Sequence, residues 1–215
     1  MRILKASLLV GALMIVNFNF TLLQHLPTEK GDLSPQEVSH LEKQQITELQ
    51  QQLKELKLTM EIRDFLDQYS EELHLKDRKE IAQTILEASK RYEVEPELII
   101  AVIETESAFR KSAISHKGAM GLMQILPSTG FALARELNVD FQVDKLLNDP
   151  LLNILMGTYY LKKLLQQFGD LNLALTAYNM GPGKLMELAS RNISLPQEYP
   201  TKVHQYRQRI DIEQD

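Results

Sequence analysis

The stretch from Glu97 to Phe109 has the sequence ELIIAVIETESAF, and it decides the fold of this chain. Its apolar run, Leu98 to Ile103, is followed by two carboxylates where acidic residues are out of keeping. Pro96 stands directly before it, and proline is common as the first residue of a helix. The pattern therefore predicts a strongly apolar helix with Glu104 and Glu106 near its carboxyl end.

Helical geometry separates these two carboxylates. At about 100° per residue, Glu106 shares a face with four apolar residues, whereas Glu104 shares one with Glu97, Ile100, Ala101 and Ala108. Glu106 therefore has the more apolar surroundings. Desolvation on an apolar face raises the pKa of a carboxyl group, as a general acid working near neutral pH requires. Glu106 is therefore the candidate acid, against the simpler alternative of a helix-end carboxylate that points to water. The four apolar residues are Ile99, Val102, Ile103 and Phe109.

The residues around this helix predict a compact helical domain over 76–215. Amphipathic stretches alternate with Gly and Pro, and no sustained alternation of period two indicates a strand. Asp149 and Pro150 predict the start of a long helix that ends near Gly169. A shorter helix follows from Leu171. The segment between Ser112 and Ser128 has loop chemistry, and we expect a binding site there.

The N-terminal residues 1–30 predict export. Arg2 and Lys5 precede the apolar run Leu8 to Val16, which continues less purely to Leu23. No small-x-small cleavage site follows, so an uncleaved membrane anchor is favoured over a cleaved signal peptide, with a buried helix of a cytosolic protein as the third alternative. Positive charges before the run place the rest of the chain outside the cytoplasm.

Residues 31–75 connect the two ends of the chain. Gln36 to Asp67 is polar, lacks Gly and Pro, and predicts one long helix. A heptad-like seam runs along it for about two heptads. The seam fits either a solvated spacer helix or a short coiled coil that forms a homodimer through 36–67. Its residues are Ile46, Leu49, Leu53, Leu56 and Met60.

Composition excludes several classes of function. The formal net charge of −5 argues against nucleic acid as a partner, since phosphate binding favours a basic face. The chain has no cysteine, and its 5 histidines are scattered. We therefore predict no metal site and no cofactor.

The motifs after the apolar helix resemble a known family. Glu106 opens E-S-x-F, and Ser115 opens S-x-x-G-A-x-G-L-M-Q-x-x-P-x-T at matching spacing. Later blocks around Asp149, Phe168 and Ala174–Gly183 follow in the same order, and 198–203 is a looser form of a closing E-T-x-x-Y-V element. The chain thus resembles the lytic murein transglycosylases with the goose-type lysozyme-like fold. It departs from their pattern at Lys111, Gly130, Thr176 and Met180.

The resemblance implies a mainly α, lysozyme-like domain preceded by an apolar and a long polar helix. It makes Glu106 the single catalytic residue. It implies substrate-binding roles for the Ser115 hydroxyl, the Gln124 and Asn179 amides and the Tyr178 phenol, with Met123 as an apolar floor.

The implied function is a peptidoglycan lytic transglycosylase. Such a lyase cleaves the bond between N-acetylmuramic acid and N-acetylglucosamine without water, and leaves a 1,6-anhydromuramic end. The expected partner is the glycan strand, and the expected location is the periplasm or cell envelope, at the membrane. Three alternatives stay open: a hydrolytic muramidase on the same fold, a non-catalytic peptidoglycan-binding scaffold, and a helical adaptor with a partner-binding coiled coil.

Overall fold

The computed structural model describes residues 35–69 and 73–210 of the chain. In this part the chain is mainly α-helical, and its extended pairing is limited to two isolated bridges in one loop. The predicted mainly α fold class is confirmed. The predicted export segment 1–30 lies outside the described residues, and no helix within them is long and apolar enough to cross a membrane.

The long polar helix predicted for 36–67 is present as α1, Pro35–Tyr69. Four of its five seam positions, Ile46, Leu49, Leu53 and Leu56, are exposed, and dimerisation through this helix stays a prediction. From Gln51 onward the helix belongs to the same compact unit as the rest of the described domain. In that unit Ile62 and Leu66 are fully buried in the main core.

Two helices follow and form one side of that core. Helix α2, Leu75–Tyr92, buries Ile81 and Ile85, and helix α3, Pro96–Ser107, buries its whole apolar run. Helix α3 begins at Pro96 as predicted and ends two residues before the predicted Phe109, because Ala108 and Phe109 both adopt left-handed backbone angles.

Six further helices complete the domain. They are α4 (Pro127–Leu137), α5 (Lys145–Asn148), α6 (Pro150–Phe168), α7 (Leu171–Met180), α8 (Pro182–Ser190) and α9 (Glu198–Arg207). The predicted start of α6 is confirmed: the Asp149 side chain accepts a hydrogen bond from the backbone N–H of Leu152, and Gly169 ends the helix.

Packing brings the ends of several helices to one place. Helix α6 lies at the centre and contacts α2, α4, α5 and α7. Helix α9 crosses both α3 and α7, with Val203 fully buried between them and the rest of the core. An ion pair between Arg207 and Glu95 also holds α9 to the residue that precedes α3. The carboxyl end of α3 is therefore enclosed by elements that lie far apart in sequence.

Candidate active site

Glu106 lies in the last turn of α3, where the chain leaves the helix abruptly. Ala108 and Phe109 have φ angles of 49° and 59°, which L-residues adopt at a cost of about 1–2 kcal/mol each. The Phe109 side chain is fully buried in the main core, and its burial offsets this cost. The turn leaves Glu106 partly buried in the last turn of α3, and the chain continues into the loop of 110–126.

The Glu106 carboxylate has one direct side-chain partner. The Tyr199 hydroxyl, from α9, donates a hydrogen bond of 2.6 Å to Glu106 Oε1. Burial raises the pKa of Glu106 from 4.5 to about 7, and the Tyr199 hydrogen bond and the charge of Lys202 oppose this rise. An acid with this pKa is partly protonated near neutral pH, so it can both donate and accept a proton.

Glu104 differs from Glu106 in its surroundings. Burial also raises the pKa of Glu104, but the charges of Lys202 and Arg209 oppose the rise, and no hydroxyl donates to it. Its Oε2 atom is buried without a hydrogen-bond partner. Of the two carboxylates, Glu106 therefore has the organised contact that a proton-transfer group needs.

The loop between α3 and α4 is held in a compact form by its own backbone. Met120 and Ile125 exchange two hydrogen bonds of 3.0 Å, and the Ser115 amide donates to the Ala119 carbonyl at 2.9 Å. Gly121 has φ +80°, and a Cβ atom there would collide with the Asn153 side chain. Glycine is required at this position by both the angle and the close approach.

Asn153 of α6 supports the same loop from below. Its fully buried amide accepts from the Met123 N–H at 2.8 Å and donates to the Met120 carbonyl at 2.9 Å and to the Leu146 carbonyl at 3.1 Å. One side chain thus satisfies three backbone groups that burial would otherwise leave unpaired. Asn153 was not among the predicted site residues.

Met123 and Tyr178 pack behind the loop. The Met123 side chain is fully buried, and a Cβ atom on Gly157 would lie 2.6 Å from the Met123 Cβ. The Tyr178 hydroxyl donates to the Met123 carbonyl at 2.9 Å, and its ring lies 5.4 Å from that of Tyr160. Burial and the charge of Glu106 raise the pKa of Tyr178 well above its usual value, so the phenol stays protonated.

A cleft of about 280 Å³ opens beside this arrangement. Its walls come from the loop, from the start of α4 and from the junction of α7 and α8. The lining includes Gln124, Tyr178 and Asn179. Glu106 is not one of the lining residues, but it is near enough to Tyr178 for its charge to raise the pKa of that phenol. Asn179 is exposed, and its side chain is open to a ligand.

The predicted site residues fall into two groups. The structure brings Gln124, Tyr178 and Asn179 together at the cleft, next to Glu106. Ser115 and Met123 do not line it: the Ser115 hydroxyl accepts from the Ala119 N–H at 3.0 Å, and Met123 faces the core. The Gln124 amide also serves the loop, donating to the carbonyls of Ala113 and Gly121.

Tyr199, like Asn153, is a residue of this site that sequence reasoning missed. It lies in the stretch 198–203 that resembles the closing E-T-x-x-Y-V element, with the tyrosine three positions earlier than in that pattern. Positions 199 and 202 are one helical turn apart and lie on the same side of α9. This spacing of one helical turn could have indicated that Tyr199 replaces the tyrosine of the pattern. Lys202 occupies the position where the pattern has its tyrosine.

Within the described residues, no group of three or more His, Asp or Glu side chains is arranged to hold a metal ion.

The family model described as "Transglycosylase SLT domain" matches residues 83–199, which is more than half of the chain. The chain belongs to this transglycosylase family. The match runs from α2 to the Tyr199 of α9, so it includes the apolar helix, the loop and the cleft.

Curated relatives of this transglycosylase-family chain come from a phage and from bacteria. A transglycosylase of Enterobacteria phage PRD1 is 36% identical over 126 residues, covering 53% of this chain and 43% of the phage protein. Membrane-bound lytic murein transglycosylase C of Actinobacillus pleuropneumoniae is 37% identical over 110 residues, covering 46% and 30%. The soluble lytic murein transglycosylase of Escherichia coli is 36% identical over 118 residues, covering 52% and 18%. The match thus spans less than half the length of each relative.

Among solved structures, the chain is similar to the 70 kDa soluble lytic transglycosylase of Escherichia coli. The two share 28% sequence identity with a TM-score of 0.49. The alignment covers 61% of this chain and 26% of that one.

Proposed function

We propose that this chain is a peptidoglycan lytic transglycosylase, with Glu106 as its single catalytic acid and base. The observation that carries the proposal is the part-buried Glu106 carboxyl group, which accepts a hydrogen bond from the Tyr199 hydroxyl and whose pKa burial raises to about 7. Membership of the transglycosylase family and the names of the murein transglycosylase relatives support this substrate. The natural substrate is then the glycan strand of the cell wall.

In the first step, protonated Glu106 donates its proton to the glycosidic oxygen between N-acetylmuramic acid and N-acetylglucosamine. The bond from muramic C1 to that oxygen breaks, and N-acetylglucosamine leaves with a free 4-hydroxyl. The acetamido group of the muramic residue stabilises the positive charge at C1, as in glycosidases that use substrate assistance. No second protein carboxylate is needed for this step.

In the second step, the ionised Glu106 removes the proton from the muramic C6 hydroxyl. The C6 oxygen attacks C1 and closes a 1,6-anhydro ring, so no water is consumed. The Tyr199 hydroxyl donates to Glu106 Oε1 and stabilises the carboxylate between the two steps. Burial favours the protonated state and the hydrogen bond favours the ionised one, which keeps both accessible near neutral pH.

The cleft holds the sugar next to Glu106. The exposed Asn179 amide and the part-buried Gln124 amide offer polar contacts for hydroxyl and acetamido groups. Tyr178 and Met123 support the cleft wall. The Tyr178 hydroxyl donates a hydrogen bond to the Met123 carbonyl and so fixes the position of the loop. Ser115 stabilises the loop through its bond from Ala119.

The main alternative is a hydrolytic muramidase on the same fold. A hydrolytic enzyme would position a water molecule with a second acidic group near the scissile bond. The cleft lining, as far as the structure describes it, contains Gln124, Thr129, Tyr178 and Asn179, and it adds no aspartate or glutamate to Glu106, which is itself not a lining residue. This composition favours the intramolecular route.

The proposal places the chain in the cell envelope, where its substrate lies. The curated relatives are named as membrane-bound or soluble murein transglycosylases, and both kinds act on the wall. An anchor formed by residues 1–30 agrees with the sequence-based prediction and would hold the domain at the membrane surface.

The test is mass analysis of the fragments that the purified full-length chain releases from peptidoglycan. The wild type should release 1,6-anhydromuramic products, and Glu106→Gln should abolish them. Glu104→Gln is the matched control, because it makes the same change on the same helix and should retain most of the activity. Reducing muramic ends would establish a muramidase instead, and no release by the wild type would favour a binding scaffold.

A further inference from the structure

Two cations on α9 and the turn after it lie close to one aromatic ring. Lys202 Nζ lies 5.7 Å from the centre of the Tyr206 ring, and the Arg209 guanidinium carbon lies 5.3 Å from it. Lys202 and Arg209 are both exposed, and Tyr206 is partly buried. We refer to these three residues as the cationic ledge. It is formed by α9 and the turn that follows.

Among the described residues, the cations of the ledge have no anionic side chain in direct contact. Neither Lys202 nor Arg209 makes an ion pair or a hydrogen bond with another side chain among the described residues. The neighbouring Arg207, in contrast, pairs with Glu95. The chain has a net charge of −5, so two neighbouring cations without a direct anionic partner among the described residues form a local positive patch on an acidic protein.

The ledge lies next to the reacting groups. Lys202 is one helical turn beyond Tyr199, whose hydroxyl contacts Glu106, so both project from the same side of α9. The charge of Lys202 reaches both Glu104 and Glu106, while that of Arg209 reaches Glu104. Tyr178 of α7 and Tyr199 are the other titratable groups that sense Glu106.

We propose that Lys202 and Arg209 bind a carboxylate of the peptide stem on the muramic acid residue whose bond is cleaved. This rests on the proposed transglycosylase function and names its specificity. The glycan backbone itself is uncharged, and its stem-bearing positions carry free carboxylates. The stem is attached to the same sugar whose C1 reacts at Glu106, so a carboxylate near the ledge follows from the substrate's own connectivity.

The chemistry of the ledge fits this ligand. Guanidinium and ammonium groups form charge-assisted hydrogen bonds with carboxylates, and cation–π contacts with the Tyr206 ring limit the movement of both cations. At an exposed site each such pair contributes modestly to binding, and salt weakens it. The ledge therefore tunes the choice of substrate and leaves the proton transfer to Glu106.

A different role would be purely internal. Lys202 and Arg209 would then serve only to stabilise the Glu104 carboxylate at the end of α3, where the helix dipole disfavours negative charge. In that case their removal would affect every substrate equally. The experiment must therefore compare substrates that differ only in stem charge.

The test uses two synthetic glycan strands of equal length and sequence, one with free stem carboxylates and one with the same groups as carboxamides. The full-length wild type, Lys202→Gln, Arg209→Gln and the double variant are compared by kcat/KM for anhydro product. Assays at pH 5 keep Glu106 protonated, so any change in its pKa has little effect. Lys79→Gln and Arg135→Gln remove exposed cations elsewhere and serve as controls.

We expect the wild type to prefer the free-acid strand by roughly threefold to tenfold, as two exposed ion pairs allow. Each single variant should lose part of this preference, and the double variant all of it. The preference is the ratio of kcat/KM on the two strands, so a change in the pKa of Glu106 that affects both strands equally cancels. High salt should remove the preference of the wild type. The two control variants should retain it.

Two results would overturn the inference. One is equal cleavage of both strands by the wild type, and the other is an equal loss on both strands in the double variant with its Tm unchanged. Either would leave the transglycosylase proposal intact, because anhydro products would still form. Failure to form such products from either strand would count against the transglycosylase proposal itself.

Discussion

Replacing Glu106 by glutamine should change how the stability of the protein depends on pH. In the unfolded chain this carboxyl group has a pKa near 4.5, and burial raises it to about 7 in the folded state. Between these values the folded protein binds the proton and the unfolded chain does not. Stability therefore falls as pH rises from about 4.5 to about 7, and it is independent of this group outside that window.

The size of the effect follows from the gap between the two pKa values. A gap of about 2.5 pH units corresponds to about 3 kcal/mol, and partial access of solvent to Glu106 reduces this to about 2–3 kcal/mol. The Glu106→Gln variant lacks this component but retains an oxygen that can accept from Tyr199. Its free energy of unfolding, relative to wild type, should therefore rise by about 2–3 kcal/mol between pH 4.5 and 8.

Urea unfolding followed by circular dichroism at half-unit steps from pH 4 to pH 8.5 measures this difference directly. The contributions of other groups, including Glu104, cancel when the two proteins are compared. Glu136→Gln provides a control of opposite sign, because the hydrogen bond from Lys163 lowers the pKa of Glu136. Parallel pH profiles for wild type and Glu106→Gln would refute the reasoning, since Glu106 would then ionise as an ordinary exposed carboxyl group.

Three further substitutions test other parts of the site. Tyr199→Phe removes the hydrogen bond that lowers the pKa of Glu106, so the alkaline limb of the pH profile of kcat/KM should move up by about one pH unit. An unchanged alkaline limb would contradict this role of Tyr199. Asn153→Leu leaves three buried backbone groups unpaired and should lower the urea-derived stability by about 3 kcal/mol or more, together with activity. Asp149→Ala removes the cap of α6 and should cost about 1 kcal/mol without moving the pH profile, which a kinetic titration checks.

The helices of the domain could be predicted because their signals are local. Pro96, Asp149 with Pro150, and Gly169 each act on the backbone within one turn, and each stands at the predicted helix end. The predicted end of α3 lies two residues too late, because the sequence at Ala108 and Phe109 carries no local signal for left-handed backbone angles. Those angles accompany the burial of the Phe109 side chain in the core, which is a long-range effect.

The candidate acid could also be predicted, because its apolar face follows from helical periodicity alone. Its partner could not. Tyr199 is 93 residues from Glu106 in sequence, and only the packing of α9 on α3 brings its hydroxyl to the carboxylate. The direction of the Tyr178 hydroxyl could not be predicted either. It donates to the Met123 carbonyl, a buried backbone group that needs a hydrogen-bond donor, and this contact arises only in the folded domain.

Two departures from the family pattern have structural explanations in this chain. Gly130 stands where alanine usually follows the threonine, and a Cβ atom there would lie 2.7 Å from the Phe141 ring. Lys111 stands where the family often has proline, and its ammonium pairs with Asp77 of α2 at 2.6 Å. Each difference is matched by a second residue that the motif itself does not include.

The position of α9 links stability to catalysis at this site. Burial of Val203 and the ion pair of Arg207 with Glu95 hold the helix against α3, while Tyr199 and Lys202 project from it toward Glu106 and Glu104. A shift of α9 away from α3 would remove the hydrogen bond and the nearby positive charge, which both lower the pKa of Glu106, and it would also expose the carboxyl group to water. Because burial is the largest influence on this pKa, the pKa would fall toward its ordinary value, and Glu106 would be a poorer proton donor near neutral pH. The packing of this one helix therefore sets the balance between the acid and base roles of Glu106.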